Sequence, residues 1–241
     1  MGVGPHPLPW PRDPRLDPEL LAGGDTRNVQ DRFRYWSNDA IAAELARNSF
    51  SFHVAIENFA HDMNIGTVVR NANAFGAAAV HIVGRRRWNR RGAMVTDRYL
   101  EVRHHPDAVA LGAWAAGAEL VLVGIDNLPG STPIEEGPLP RNCVLLFGQE
   151  GPGLSPEAHR CCAEVRSITM YGSTRSIKAG VASGIAMHTW LGQHARPPRP
   201  DPYEPDPGRS SSGSGDSTVM PTSWPYATSR LCPLGSAMMP Q

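Results

Sequence analysis

The sequence predicts an α/β fold in which a mostly parallel β-sheet carries helices on both faces. Between residues 50 and 195, short apolar runs typical of buried strands alternate with segments of helical periodicity. This alternation is typical of parallel sheets, because parallel neighbours need a long crossover between them. The chain of 241 residues is long enough for one substantial domain with terminal arms.

The strands and helices of this domain can be placed in order along the chain. Apolar runs predict strands at 50–56, 80–83, 120–125, 143–147 and 165–170. Apolar residues spaced by three and four predict helices at 65–75, 108–116, 156–162 and 179–193. Because ligands of such sheets bind beyond the carboxyl ends of the strands, we expect the site in the loops that follow these strands.

The two ends of the chain differ in composition from this domain. Residues 1–28 are punctuated by proline, and 31–48 is predicted to form a helix, so we expect an amino-terminal arm with one helix over 1–49. The folded domain then covers 50–195. Residues 196–241 contain ten Pro, eight Ser and four Gly, a composition that predicts a disordered tail.

Overall composition excludes several classes of protein. There are 23 Lys and Arg residues against 23 Asp and Glu, so net charge does not favour any partner. No run of 18 apolar residues occurs and no signal peptide is recognisable, so we expect a cytoplasmic protein without a membrane span. The four cysteines have neither the spacing of a zinc site nor that of a disulfide framework.

The loop and helix at 64–76 contain the first candidate site. Helical spacing places Gly66, Arg70 and Asn73 on one face, and Gly66 is expected to leave open space beside the Arg70 guanidinium. Two simpler interpretations remain open: Asn64 could be a helix cap, and Arg70 could be a solvated surface residue.

Two further segments follow predicted strands. The loop at 148–155 has glycines at 148, 151 and 153 beside Glu150, but it matches neither the P-loop nor the dinucleotide-binding pattern. Residues 168–190 form a polar turn and then a helix rich in small residues, which allows another backbone to pack closely. Each segment alone could be a turn or a packed helix without a ligand.

Together, and in this order, the three segments resemble the motifs of the SpoU (TrmH-like) branch of the SPOUT RNA methyltransferases, over about residues 50–192. The first motif is matched by Asn64, Gly66, Arg70, Phe75 and Gly76. The second is matched by Gly148, Glu150, Gly151, Gly153 and Leu154. The third is matched by Ile168, Met170, Gly172, Ser176 and Ile177. Thr169 and Lys178 depart from the pattern, because the family has proline and asparagine there.

The resemblance implies a SPOUT fold with a carboxyl-terminal trefoil knot and methyl transfer from S-adenosylmethionine to a ribose 2′-hydroxyl of tRNA or rRNA. It implies cofactor contacts from four residues, Gly148, Gly153, Ile168 and Ile177. In this interpretation Arg70 holds a phosphate and stabilises the developing alkoxide, since a guanidinium keeps its proton too tightly to act as a base. Asn64, Glu150 and Ser176 would arrange the site around it. No metal is required.

A basic segment is the predicted RNA-binding surface. Residues 85–103 contain seven arginines against Asp97 and Glu101. The RNA contacts are predicted at Arg85, Arg86, Arg87, Trp88, Arg90 and Arg91. Arginines suit phosphate contacts and an interposed Trp88 suits base stacking, although a solvated loop is the alternative. Histidines 81, 104, 105 and 188 have no metal-ligand spacing, so packing or surface roles are expected.

Two other functions remain open from the sequence. The first is a non-catalytic RNA-binding member of the same fold, which Lys178 and the neutral overall charge favour. The second is a nucleotide-dependent oxidoreductase, which the missing glycine fingerprint disfavours. The resemblance also implies a homodimer, whereas the choice between tRNA and rRNA stays open.

Overall fold

A parallel β-sheet lies at the centre of the protein, in a computed structural model that describes residues 2–60 and 63–195. The predicted tail at 196–241 lies outside these residues. The strands are β1 His53–Asn58, β2 Ala79–Gly84, β3 Glu101–His105, β4 Val121–Ile125, β5 Thr132–Pro133, β6 Cys143–Phe147 and β7 Glu164–Ser167. Their order in the sheet is β3-β2-β1-β6-β4-β7-β5, and every pairing between these strands is parallel.

Helices cover both faces of this sheet, as the sequence predicts. The helices are α1 Pro18–Gly23, α2 Asn38–Arg47, α3 Ile65–Ala74, α4 Ala108–Gly117, α5 Pro156–Cys161 and α6 Ala179–His194. Helices α3 and α6 bury Val68 and Met187 against one face, and α4 and α5 bury Leu111 and Ala158 against the other. Alternate side chains of each strand point to opposite faces, so both layers share the same strands.

The amino-terminal arm differs from the single helix predicted over 31–48. A short 3-10 turn at Asp31–Phe33 is followed by Tyr35, whose φ of 62° interrupts a helix, and α2 begins only after Ser37. Ser37 Oγ accepts a hydrogen bond from Ala40 N at 3.2 Å, the usual chemistry of an N-cap. An additional helix, α1, precedes this region. The arm packs against the domain, because Phe33 and Tyr99 belong to one buried cluster.

A buried carboxylate holds the arm together. Asp25 is fully buried and pairs with Arg27 at 2.7 Å. Although burial raises the pKa of Asp25, hydrogen bonds from Arg27 and from Tyr35 N outweigh it and lower the pKa to about 2. Such a pair is strongly destabilising to break from one side, because the remaining charge is then buried alone.

Candidate functional site

A cavity of about 280 Å³ lies at the carboxyl ends of β4 and β6, where the topology predicts a site. Three segments line it: 125–128, 147–153, and parts of 168–182. All four predicted cofactor residues are among its lining residues, namely Gly148, Gly153, Ile168 and Ile177. The structure thus brings the second and third motifs together around one space.

The glycine-rich loop forms a tight hairpin along this cavity. Gln149 N donates to Gly153 O at 3.0 Å, and Gly153 N donates to Gln149 O at 3.0 Å. A Cβ on Gly148 would lie only 2.0 Å from the carbonyl carbon of Gly153, so the two backbone segments require glycine here. Gly153 also has a φ of +73°, in the left-handed region that glycine favours.

Two polar residues at the end of β4, Asp126 and Asn127, were not predicted individually. Asp126 Oδ2 accepts from Leu154 N at 2.8 Å and so holds the glycine-rich loop. Asn127 Oδ1 accepts from Ile168 N at 3.0 Å, and its Nδ2 donates to Arg175 O at 3.3 Å. An Asp-Asn pair directly after an apolar strand is the sequence signal that could have identified them.

The first motif reaches this loop through a hydrogen bond. Asn64 Nδ2 donates to Glu150 Oε2 at 2.7 Å. Asn64 occupies the N-cap position of α3, but its side chain makes no capping hydrogen bond, so the simpler capping interpretation does not explain the side chain. Ala60 N also donates to Gln149 Oε1 at 2.7 Å, which joins the same two loops a second time.

The other predicted catalytic residues occupy different positions. Ser176 lines the cavity together with Lys178, one of the two residues that depart from the family pattern. Arg70 does not line it: its side chain is exposed on α3 and makes no hydrogen bond or ion pair among residues 2–60 and 63–195. Helix α3 is nevertheless locked to α6, because Asn71 Nδ2 donates to Gly180 O at 2.8 Å.

The prediction of open space beside Gly66 is wrong. Gly66 is buried, and a Cβ there would lie 2.7 Å from Gly92 Cα and 2.7 Å from Ala93 N. The 3-10 turn Arg90–Ala93 within the basic segment therefore fills this position, so Gly66 does not leave room beside the Arg70 guanidinium. Sequence spacing identified the glycine but not the backbone that approaches it.

The basic segment is held by the end of β1. Asn58 Nδ2 donates to Arg85 O at 2.7 Å and to Arg87 O at 3.0 Å. These bonds use only backbone carbonyls of the segment, and five of its arginines have exposed side chains: Arg85, Arg86, Arg87, Arg90 and Arg91. Arg90 lies 3.3 Å from Asp97 Oδ2.

The structure also contradicts the predicted stacking role of Trp88. Trp88 is only 9% exposed and packs in the main hydrophobic cluster. An indole in the core is not available to stack on a base, because its faces already contact protein. A basic sequence around a tryptophan does not reveal that the ring turns inward.

Three histidines form a hydrogen-bonded row across β1, β2 and β3. His53 Nδ1 lies 3.0 Å from His81 Nε2, and His81 Nδ1 lies 2.9 Å from His105 Nε2. Trp114 of α4 packs against all three rings. Among the described residues, no group of three or more His, Cys, Asp or Glu side chains is arranged to hold a metal ion. Within the same part of the chain, none of the helices combines the length and apolar character needed to span a membrane.

The fold and this site define a class: a parallel α/β protein whose ligand cavity is built from loops at the carboxyl ends of its central strands. The model of the SpoU rRNA Methylase family matches residues 51–188 of the chain. The chain therefore belongs to the SpoU family, and the resemblance noted from its three motifs is confirmed.

Curated relatives from mycobacteria agree with this assignment. A protein of Mycobacterium sp. (strain KMS), described as an uncharacterized tRNA/rRNA methyltransferase, is 34% identical over 161 residues, which cover 62% of this chain and 49% of the relative. A protein of Mycobacterium bovis (strain BCG / Pasteur 1173P2) with the same description is 31% identical over 170 residues, covering 68% and 52%. The chain thus spans about half the length of these relatives.

Solved structures share the fold. The SpoU methyltransferase AviRb from Streptomyces viridochromogenes, in complex with the cofactor AdoMet, superposes with a TM-score of 0.55 at 24% identity, covering 60% of this chain and 58% of that one. The TrmH/SpoU tRNA modifying enzyme of A. aeolicus superposes with a TM-score of 0.57 at 20% identity, covering 65% and 83%. At these identities the likeness confirms the α/β fold.

Proposed function

We propose that this protein is an S-adenosylmethionine-dependent RNA methyltransferase that modifies a ribose 2′-hydroxyl of tRNA or rRNA. One observation carries the proposal: residues of the second and third motifs line one cavity. A hydrogen bond from Asn64 to Glu150 connects the first motif to this cavity. The relatives described as tRNA/rRNA methyltransferases support an RNA substrate. A structural neighbour described as an RNA 2′-O ribose methyltransferase supports the 2′-hydroxyl.

The cavity suits S-adenosylmethionine in its chemistry. Gly148 and Gly153 line the cavity without side chains, in a loop where a Cβ would collide with the backbone of Gly153 or with Asp126. Ile168 and Ile177 add apolar surface for an adenine ring. Asn127 adds polar groups beside this surface. When bound there, the cofactor supplies a methyl group on a positively charged sulfonium, which the Glu150 carboxylate would help to offset.

The remaining groups would position the RNA. We assign Arg70 to grip a phosphate and stabilise negative charge on the ribose oxygen, because its guanidinium is exposed and uses no protein acceptor among the described residues. The Asn64–Glu150 hydrogen bond and the Ser176 hydroxyl would fix the surroundings. The exposed arginines at 85–87 and 90–91 would contact further phosphates.

The overall architecture of the active form is also part of the proposal. We place a trefoil knot around 168–178, a segment that Asn127 ties to the end of β4 through Ile168 N and Arg175 O. We further propose a homodimer, because α6 carries two exposed apolar side chains four residues apart, Val181 and Ile185. An RNA substrate of this kind is the reason for proposing a cytoplasmic location.

The test is methyl transfer from labelled S-adenosylmethionine to total tRNA and, separately, to rRNA, followed by nucleoside analysis. We expect a 2′-O-methyl nucleoside from the wild type and at least about a hundredfold loss in Arg70→Ala, within the usual effect of removing one charge-stabilising group. Arg160→Ala removes an exposed arginine that does not line this cavity and is the matched control. A fully active Arg70→Ala variant would remove Arg70 from the mechanism.

A non-catalytic RNA-binding protein is the second candidate, and Lys178 favours it. This residue lines the cavity at a position where the family has asparagine, and lysine cannot accept hydrogen bonds. If this candidate is correct, the wild type binds S-adenosylmethionine and RNA without transfer, and Lys178→Asn gains activity. Transfer by the wild type would exclude it.

A further inference from the structure

A second cavity, of about 660 Å³, lies at the amino ends of the strands, on the opposite side of the sheet's strand ends from the site described above. It is lined by His53 and Glu101, with which β1 and β3 begin. The first cavity is lined by Ile125 and Phe147, with which β4 and β6 end. Because all these strands are parallel, the second cavity lies at their amino ends and the first cavity at their carboxyl ends. The volume is typical of sites for small organic ligands, roughly 300–1,000 Å³.

One wall of this second cavity comes from the amino-terminal arm. Arg32 of the 3-10 turn and Ala42 and Leu45 of α2 line it, and Asn48 and Ser49 continue the wall beyond the helix. These residues all precede residue 51, where the match to the SpoU family model begins. The cavity is therefore formed between the arm of this chain and the domain that the family shares.

Arginines supply most of the charged lining of the cavity. Arg32, Arg98 and Arg103 line it, and Glu101 is the single carboxylate among its lining residues. Glu101 is already paired, since Arg103 donates to its two oxygens at 2.8 and 3.0 Å. The side chain of Arg98 has no hydrogen bond or ion pair within 2–60 and 63–195, and Arg32 donates to the neutral Gln30 at 3.0 Å. Neither Arg98 nor Arg32 is therefore paired with a carboxylate of the lining, and the carboxylate that attracts Arg32 is Glu44 of α2, outside the lining.

Two helices, α2 and α3, end at this cavity, and carbonyls in their last turns are hydrogen-bonded within the chain. At the end of α2, the Leu45 and Ala46 carbonyls accept from Asn48 N and Ser49 Oγ, each at 3.2 Å. At the end of α3, the Ala72 carbonyl accepts from residue 77 at 3.0 Å. These three carbonyls therefore have partners within the chain.

Helix α3 contributes to the cavity a neutral donor that makes no hydrogen bond within the described residues. Asn73 lines the cavity, and its buried Nδ2 has no hydrogen-bond partner among the described residues. Ala77, Ala78 and Leu100 add apolar surface to the lining of the cavity, and we call them the apolar floor. The combination of unused donors, positive charge and apolar surface suits a ligand with an anionic group on an organic body.

We propose that this second cavity binds a phosphate group carried by a nucleotide, either free or within an RNA strand. The forked donors of Arg32 and Arg98 match phosphate oxygens, and the apolar floor contacts the attached nucleoside. The proposal does not depend on methyl transfer, because the second cavity lies at the amino ends of the strands and the first site at their carboxyl ends.

Calorimetric titration of the full chain tests this proposal with uridine 5′-monophosphate, uridine, and 5′-phosphorylated tetrauridylate. We expect the phosphate-bearing probes to bind at least tenfold more tightly than uridine. Arg98→Ala and Arg32→Ala should each weaken that binding at least tenfold, whereas Arg160→Ala, which removes an equal charge outside the cavity, should not. A tetrauridylate affinity more than tenfold above that of the monophosphate assigns the cavity to RNA, and comparable affinities assign it to a free nucleotide.

A second variant protects the test against loss of the arm's structure. Ala46 lines the cavity and is exposed on α2, so Ala46→Phe fills the space while every arginine remains. This variant should also weaken binding at least tenfold with an unchanged unfolding midpoint. Absence of binding by both phosphate probes, or binding that withstands both Arg98→Ala and Ala46→Phe, would overturn the proposal.

Discussion

Single carboxylates determine how the glycine-rich loop is held. Glu57, near the carboxyl end of β1, accepts hydrogen bonds from Ser155 N at 2.8 Å and from Ser155 Oγ at 2.6 Å. Asp126, from the neighbouring part of the sheet, accepts from Leu154 N. Burial raises the pKa of Glu57 despite the two donors. The loop conformation at the first cavity therefore depends on Glu57 and on Asp126, which itself lines the cavity.

The glycines of this protein provide a matched pair for a residue-scale prediction. Gly148→Ala places a methyl group 2.0 Å from the backbone of Gly153, so the loop must open, and we expect S-adenosylmethionine affinity to fall at least tenfold by calorimetry. Gly192→Ala, on α6, meets nothing within 4 Å and should leave affinity unchanged. It should raise the free energy of unfolding by up to about 1 kcal/mol, because alanine favours helices. Unaltered affinity in Gly148→Ala would contradict the assigned cofactor wall.

At the scale of elements, periodicity predicted the strands whose environment is uniform. The run at 143–147 matches β6 because that strand is central and buried on both faces. The strand β3 was missed because it lies at the sheet edge, with the polar sequence EVRHH, and β5 because it has only two residues. For the site, motif order identified the lining of the first cavity. The second cavity could not be predicted, since it requires knowing how the arm packs.

The histidine row makes stability depend on pH. Burial lowers the pKa of His53 to about 4 and that of His81 to about 2, with neighbouring positive groups adding to the effect. The unfolded chain binds these protons near pH 6.5, so stability is fully present above that value and falls as pH decreases toward the folded pKa values. Each histidine contributes roughly 1.4 kcal/mol per pH unit in this window.

Urea unfolding at pH 7, 6 and 5 measures this dependence. The wild type should lose stability with decreasing pH, and His81→Gln, which cannot take up the proton, should show a slope smaller by about one proton. Comparing slopes rather than stabilities removes the packing loss of the variant and the opposite contribution of Glu57. Equal slopes in the two proteins would show that His81 is already protonated in the folded state.

At the scale of the whole molecule, the described chain closes on itself at its carboxyl end. Leu139 N donates to Gln193 Oε1 at 2.8 Å, and Leu139 O lies 2.7 Å from His194 Nε2. Trp190, fully buried, donates to Pro140 O at 3.1 Å. These contacts fasten the last turns of α6 to the segment before β6.

Two truncations test where the folded unit ends. Ending the chain after Ala195 keeps the Leu139 contacts and should leave the thermal unfolding midpoint unchanged. Ending it after Gly192 removes both partners of Leu139 and should cost about 1–3 kcal/mol, the usual penalty for leaving buried backbone groups unpaired. A lower midpoint after the first truncation would show that 196–241 contributes to stability.

The proposed homodimer is tested by light scattering after gel filtration. Val181 and Ile185 are 53% and 36% exposed, so placing a charge at each with Val181→Glu and Ile185→Glu should disrupt a dimer formed through α6 while leaving the monomer folded. Asp39→Ala in α2 is a surface control. A wild type that is monomeric at micromolar concentration would refute the dimer.

The position of β6 between β1 and β4 has a consequence for synthesis in the cell. The chain makes β1, β2 and β3 first, but one edge of β1 can pair only with a strand completed at Phe147. At translation rates of about 5 to 20 residues per second, the interval between Asn58 and Phe147 lasts roughly 4 to 18 s. During that time a hydrophobic strand edge is open on the ribosome, so the nascent chain is most vulnerable to aggregation before its middle strand emerges.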